Sequence, residues 1–497
     1  NLLLHAKMAE TPSKPPGAIH LENVEDVPKD LAAEILEDQA RYTPQEIRRM
    51  KRQIDWRVIP SLGLMFGISL MDRSNVSNAA IAGMREDLHL ETGYRYSLVT
   101  LCFFVTYVIV QAPMTIVCRK LGPRLFLPGV CAIWGGVIVG FGFSQNWTTL
   151  VGLRLLLGCL EAGFFPGSVY LLSTWYTRYE TAKRYSLFYL IGVVYSSLSG
   201  ILSYGLMQMD NVGGISGWRW IFILEGIITV SIAVFAFFLM VKFPDQERKS
   251  PSFRFLKGEE LEFVISRIQR DRGDVEPEAF TWSKFLKPAL DLEIWGFALM
   301  QFHMEFITLT RYIVFLPIIL RDTLGFGIAA SQCLVCPPYV AAAVLMMFTA
   351  WYGDRLHVRG PLIIMNCFIA LIGLPIAGFA NNPWVRYFGI FVSVAAVNSC
   401  IPTIMTYQAN NIRGQWKRAF CSASLTGIAG IGGISGSLVY RSQDAPGYVP
   451  GVSTTIGCTG LTVVTCCALM AYFRSANKKA DRGELIINGD EAFRFTL

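Results

Sequence analysis

The stretch GLRLLLGCLEAGFFP, at 152–166, sets an arginine and a glutamate in a run that is otherwise apolar or small. Both are costly in hydrocarbon, and charged residues inside a membrane helix face a bundle interior or a water-filled cavity and mark function. Arg154 and Glu161 are seven positions apart. On a helix that returns to nearly the same face, about 10 Å further along the axis. They are too far apart for one simple contact, so they bracket a site or act at different layers of a cavity. A second set lies in GISLMDRSNVSNAAIAG, at 67–83. Asp72 and Asn75 share a face there, Asn78 continues it, and Arg73 points about 100° away. Such a set can bind an anion and exchange a proton. Arginine offers a planar fork to a carboxylate, and a buried carboxyl beside it can carry a driving proton. When an anion takes the arginine, the carboxylate loses its partner and can hold a proton, so the two loads become linked. The competing reading of Asp72, Arg73, Arg154 and Glu161 is a set of structural ion pairs between helices.

These side chains need membrane helices to position them. The 497 residues are 53% hydrophobic and 16% charged, against about 25% charged in soluble domains. Repeated apolar runs of about 18 residues or more mark a polytopic helical membrane protein in contact with the lipid bilayer. Twelve spans are expected, at 58–80, 96–117, 124–143, 149–172, 186–208, 218–241, 291–319, 328–350, 361–379, 385–406, 419–440 and 453–473. The domain plan is a tail at 1–55, a six-helix bundle at 56–241, a polar linker at 242–290, a second six-helix bundle at 291–473 and a tail at 474–497. Alternate loops are rich in Lys and Arg, including Arg119, Lys120 and Arg124, then Lys183 and Arg184, then Arg355 and Arg359, then Arg413, Lys417 and Arg418. The positive-inside rule puts those loops, the linker and both termini in the cytosol. The formal charge of +7 sits mostly in such loops and gives no nucleic-acid signal. The 12 cysteines form no metal-ligand pattern, and no metal or cofactor is expected. A monomer is expected.

Weaker candidates fill out the site. His303 and Arg311 lie in MQFHMEFITLTRYIVFLP, with Glu305 in the same run. Histidine titrates near neutrality when unperturbed, and Pro317 suggests a broken helix. Tyr312, Trp175, Tyr176 and Tyr407 could stack on a ring, although packing is the ordinary role of such residues. Asn398 is a cavity candidate, whereas Asn410 reads as a loop cap. Arg219 and Glu225 are poorly aligned and read as structural.

Two loops echo each other. CRKLGPRL at 118–125 and WYGDRLHVRGP at 351–361 each follow the second expected span of a half. Arg119, Arg124, Gly353, Asp354 and Arg355 are the gating candidates. Two similar bundles with a site between them make an alternating-access carrier. Together with LMDRSNVSNAA at 70–80, RLLLGCLEAGFFPGSVYLLSTWY within 153–176, GWRWIFILEG at 217–226 and ANNIRGQWKRAFCSA at 409–423, these pieces resemble the major facilitator superfamily. More narrowly, they resemble the fungal allantoate permease (anion:cation symporter) family, which includes nicotinic acid, pantothenate, biotin and allantoate permeases. The resemblance implies an all-α membrane fold and a proton-coupled symporter of a small organic anion, with nicotinate the first guess and a plasma-membrane location. It also implies proton and anion coupling at Asp72, Arg73, Arg154 and Glu161. One departure stands out: the first loop lacks the acid that the second has in Asp354. No HExxH, nucleophile set or GxxxxGK[ST] loop is present, so neither an enzyme nor an ATP-driven pump is expected. A non-transporting receptor with a carrier fold is the remaining alternative.

Overall fold

The computed structural model describes residues 42–497, apart from 93, 253–254, 257, 273–280, 309–315, 317–319, 322–324, 440–448 and 488–492. Residues 1–54 form one unit, of which the described part is helical from Pro44. Thr43 and Glu46 start that helix as a capping box. The Glu46 carboxylate accepts the Thr43 N–H at 2.8 Å, and the Thr43 hydroxyl accepts the Glu46 N–H at 3.4 Å, so two amides that lack helical partners are satisfied.

Asp55–Leu497 form the main unit, which is helical almost throughout. Its principal helices are α1 (Pro44–Ala79, shared with the first unit), α2 (Arg95–Leu121), α3 (Pro123–Phe141), α4 (Trp147–Glu161), α5 (Phe164–Trp175), α6 (Arg178–Ser197), α7 (Ser199–Met207) and α8 (Gly217–Leu239). Then come α9 (Gly258–Arg272), α10 (Leu292–Ile307), α11 (Cys336–Leu356), α12 (Gly360–Phe379), α13 (Pro383–Asn411), α14 (Gln415–Val439) and α15 (Val449–Asp481). Among the described residues, eleven helices are long and apolar enough to cross a membrane. The seventh expected span is represented by α10. Its continuation, with Arg311, Tyr312 and Pro317, lies outside the described residues.

Small residues decide which helices meet. In lipid, close backbone approach supplies the packing that the hydrophobic effect does not. Gly63 and Gly67 of α1 face Ile191 and Tyr195 of α6, and Gly192 of α6 lies under Phe66. A Cβ on Gly158 of α4 would collide with the Phe103 carbonyl of α2. Beside it the Thr106 hydroxyl donates to the Leu155 carbonyl at 2.9 Å. Across the chain's two halves, α2 packs on α14 and α6 on α11. Gly430 of α14 sits against Val108 and Tyr107 of α2.

The basic-loop end is held by charge pairs. Arg359, fully buried, pairs with Asp354 at 2.5 Å, and Gly353 leaves room for the Arg359 guanidinium. Arg355 instead lies over Trp351. In the first half the missing acid comes from elsewhere in the chain. Arg119 pairs with Asp245 at 2.9 Å and lies over Phe243, both just after α8. Arg124 donates to Ser252 at 3.4 Å. Arg418 of α14 ties the halves together by donating to the Ser173 carbonyl of α5 at 2.7 Å.

The sequence holds two similar strings, SFRFL at 252–256 and AFRFTL at 492–497, of which the described residues include Phe255 and Phe495. Phe255 meets Trp175 edge-on and carries Arg57 over its ring. Phe495 stacks on Phe473 at 4.4 Å, and its amide donates to Asn477 at 2.8 Å. Thr496 exchanges bonds with Asn411, and the Arg359 amide donates to the Leu497 carbonyl at 2.7 Å.

The Arg119–Asp245 pair yields a direct expectation. Asp245→Asn leaves a largely buried guanidinium without its acid and destabilises the solubilised protein by about 1–3 kcal/mol. The reciprocal exchange of Arg119→Asp with Asp245→Arg recovers most of that loss in a thermal-unfolding assay. Equal damage in the single and the exchanged variants would show that the pair itself is not what matters.

Candidate functional site

The site grows from α1, which keeps its helix through Asp72, Arg73, Asn75 and Asn78 and then widens into a π-turn at Ala80–Met84. Such turns cluster at functional places because they re-aim side chains. Arg73 reaches Glu161 at the end of α4, with 3.6 Å between Nη2 and Oε2. Its guanidinium also lies over the rings of Phe103 and Tyr107 of α2, at 5.4 and 5.1 Å. The same Glu161 oxygen accepts the Ser69 hydroxyl at 2.7 Å. The Arg73–Glu161 pair thus binds α1 to α4, with α2 as its apolar wall.

Arg154 does not reach Glu161 as an ion pair, in keeping with the seven-residue spacing. It is 3% exposed, lies over Phe141 at 5.1 Å and makes no ion pair within 4 Å among the described residues. Its charged neighbours at longer range are Glu161, Asp72 and Arg73. Asp72 is 2% exposed, and neither of its carboxyl oxygens has a hydrogen-bond partner. Around it stand Glu161, Glu225, Arg154 and Arg73. A buried polar group without a partner is costly, so Asp72 is a carboxyl that its local structure does not satisfy.

Asn75 and Asn78 turn to a third buried carboxyl. The Asn75 amide donates to Glu225 of α8, Asn78 donates to Ser203 at 3.1 Å, and Ser203 donates to Glu225 at 3.5 Å. Arg219, the residue set beside Glu225 in the sequence reading, donates instead to the carbonyls of Gly142 and Ser144 at 3.0 and 2.6 Å. Glu225 therefore belongs to the polar core around Asp72. The signal was present, since a carboxylate in the run IFILEGIITV is as costly as Glu161.

Beyond Arg73 a cavity of ≈ 30 Å³ opens between the halves. The first half contributes Phe66, Leu70, Arg73, Phe104, Tyr107, Phe165 and Tyr189. The second contributes Glu305, Thr426, Ala429 and Gly430. Its volume holds a water molecule or two.

Several candidates lie elsewhere. His303 is buried, with Nδ1 3.2 Å from the Thr462 hydroxyl of α15, and does not line the cavity. Asn398 donates to the Val394 carbonyl of its own helix at 2.9 Å. Trp175 donates to the Lys242 carbonyl at 3.0 Å, Tyr176 lies under Arg184, and Tyr407 packs on Phe297 and Phe473. The rings on the cavity are others, Phe66, Phe104, Tyr107, Phe165 and Tyr189. Sequence spacing carries no mark that separates these rings from the packing aromatics. Asn146 caps α4, accepting the Thr149 N–H at 2.9 Å.

Comparison with known proteins places this architecture. The chain is 30% identical over 445 residues to the MFS-type transporter cnsO of Penicillium expansum, covering 88% of this chain and 85% of that one. It is 28% identical over 435 residues to the high-affinity nicotinic acid transporter of Saccharomyces cerevisiae, covering 87% and 79%. Its fold resembles that of the proton:xylose symporter XylE, with a TM-score of 0.67 at 13% identity over 84% of this chain and 96% of that one. The Major Facilitator Superfamily profile matches residues 62–439, and with a charged core buried beside a cavity between its halves, this multi-pass membrane protein belongs to that superfamily of transporters.

Proposed function

We propose that the protein is a proton-coupled symporter of small organic carboxylates, working by alternating access within the allantoate permease group, with nicotinate as the first substrate to try. The observation that carries this reading is the Arg73–Glu161 pair, whose arginine lines the cavity while its acid is buried behind it, backed by Arg154 with no ion pair among the described residues and by the unsatisfied Asp72. In a site of low dielectric, a guanidinium held by one long ion pair can exchange its acid for a substrate carboxylate with little loss. The carboxyl so released can take a proton. Glu161 and Asp72 are the proton carriers in this scheme, and Arg73 and Arg154 the anion anchors. Resemblance to a nicotinic acid transporter and a cavity walled by five aromatic rings favour a ring acid. The bundles at 56–241 and 291–473 move about this site, joined by the 242–290 linker. The chain works as a monomer in the plasma membrane, with both termini and the basic loops in the cytosol. A receptor that binds without transporting would show binding but no uptake.

Glu161→Gln fixes the carboxyl in a form like the protonated one. In proteoliposomes it keeps exchange of internal for external nicotinate and loses accumulation driven by an imposed pH gradient. Equal loss of both activities would make Glu161 a folding or binding residue.

A competition panel tests the substrate class. Labelled nicotinate uptake is inhibited by unlabelled nicotinate and not by nicotinamide, because the amide offers no charge to the guanidinium. Arg73→Lys raises the half-saturation concentration roughly tenfold, since an ammonium cannot form the two-pronged bond. Inhibition by nicotinamide as strong as by nicotinate would sink carboxylate recognition. Stronger inhibition by bulky ureido acids would keep the anion and remove the ring.

A further inference from the structure

Glu305 has no part in the scheme above, yet it is the acid that the second half brings to the cavity wall opposite Arg73. It is half-buried, and its hydrogen bond from Gln301 is 3.5 Å long, at the limit for such a bond. Its carboxylate is therefore not committed to its own helix. The groups that face it are Arg73 of α1, Tyr107 of α2, Tyr189 of α6 and Thr426 of α14. His303, two residues earlier, is engaged with Thr462. Arg73 is the cation among these groups, and it senses both Glu161 and Glu305.

The two acids differ in one physical respect. Glu161 and Arg73 sit in the same half of the chain, so their 3.6 Å contact travels with that half. Glu305 sits in the other half. Its distance from Arg73 changes whenever the halves part, and only an interaction that differs between two states can bias the balance between them.

We propose that Glu305 is the counter-charge that Arg73 meets across the seam, and that it yields the guanidinium to a substrate carboxylate by taking a proton. This rests on the symport reading above and adds a positioning residue to it. In the unloaded carrier the ionised Glu305 draws the halves together over the site. A substrate carboxylate arriving at Arg73 would then face a second anion on the opposite wall. One proton from the open aqueous side converts the Glu305 carboxylate to a carboxylic acid and removes that repulsion. Release of the substrate lets Glu305 return the proton to water and face Arg73 again. Binding of the anion and of one proton are thereby linked, each strengthening the other.

The test uses the full chain and two readouts. The first needs no substrate. Melting temperatures of the solubilised protein are measured from pH 5.5 to 8.0 for wild type, Glu305→Gln, Arg73→Gln and the double variant, with Arg73→Met as the second background if Arg73→Gln does not fold. The effect of Glu305→Gln is expected at pH 8.0, shrinks toward pH 5.5, and is smaller once Arg73 is gone, the signature of a coupled pair. An effect that is the same at both pH values and in both backgrounds overturns the proposal. The second readout is labelled nicotinate uptake. Glu305→Gln lowers the half-saturation concentration at pH 7.5 about fivefold and flattens its dependence on pH. Uptake with an unchanged half-saturation and pH profile also overturns the proposal. Coupling in the melting data without any nicotinate uptake supports Glu305 and removes the nicotinate reading alone.

Discussion

Lipid offers no counter-charge. A guanidinium or carboxylate carried into the hydrocarbon layer is stabilised by a partner within the chain, and the packing of the first half gives one to Arg73, Glu161 and Glu225 while leaving the Asp72 carboxyl without a hydrogen bond. Arg73 cannot leave the α1–α2–α4 junction without stranding Glu161, and Glu225 is held by Asn75 and by Ser203. The glycines serve the same end. Gly158 lets α4 press on α2, while Gly63, Gly67 and Gly192 let α1 and α6 close on each other. The helices are thus set at the separation where long polar side chains meet. Small residues and buried charges in one segment form a single device, with the first creating the proximity that the second requires.

The basic-loop end solves a different problem. There Arg119 and Arg359 are largely buried while their acids, Asp245 and Asp354, keep some exposure. The chain answers with composite contacts. Arg119 combines an acid with an aromatic face, Arg359 combines its acid with a bond from its amide to the Leu497 carbonyl, and Phe255 and Phe495 pack on Trp175 and Phe473. In each half the string touches the region of the loop after the second span, through Ser252 and Arg124 in one and through Leu497 and Arg359 in the other. Each half is thereby fastened internally, which a rocking mechanism needs if the motion is to concentrate at the seam. The seam at this end is crossed by the Arg418 bond to Ser173, a contact that parting of the halves must break.

Much of this was legible in the sequence. Apolar runs of membrane length, punctuated by basic loops, specify the helices and their order, because the bilayer allows few alternatives. Asp72, Arg73, Arg154 and Glu161 stood out for the same reason. What the sequence concealed is which charges meet. Helical spacing relates residues of one helix, so it correctly set Arg154 apart from Glu161. It carries no information on the rotation of one helix against another, and it was silent on Arg73 joining Glu161 across 88 residues. The acid for the first basic loop was missed because it lies after the sixth span, in PDQER, outside the local motif. Glu305 and Glu225 were visible as charges in apolar runs, and only the contact between helices assigns them to the core.

The charges around the cavity also set a bound on what it can carry. Among the described residues this core holds four carboxyl groups, Asp72, Glu161, Glu225 and Glu305, against two guanidiniums, Arg73 and Arg154. Were all six ionised, the core would carry an excess of two negative charges where the dielectric is low and each unpaired charge is costly. Adding an organic carboxylate would worsen that excess. On the proposed symport reading an anion enters this core together with protons, and the core has more carboxyls than its two arginines can pair. The surplus is hard to explain if these residues serve solely to pin helices together, for which matched pairs would suffice. It fits a carrier in which the number of protons held changes with the load, and in which acids near one arginine take turns as its partner.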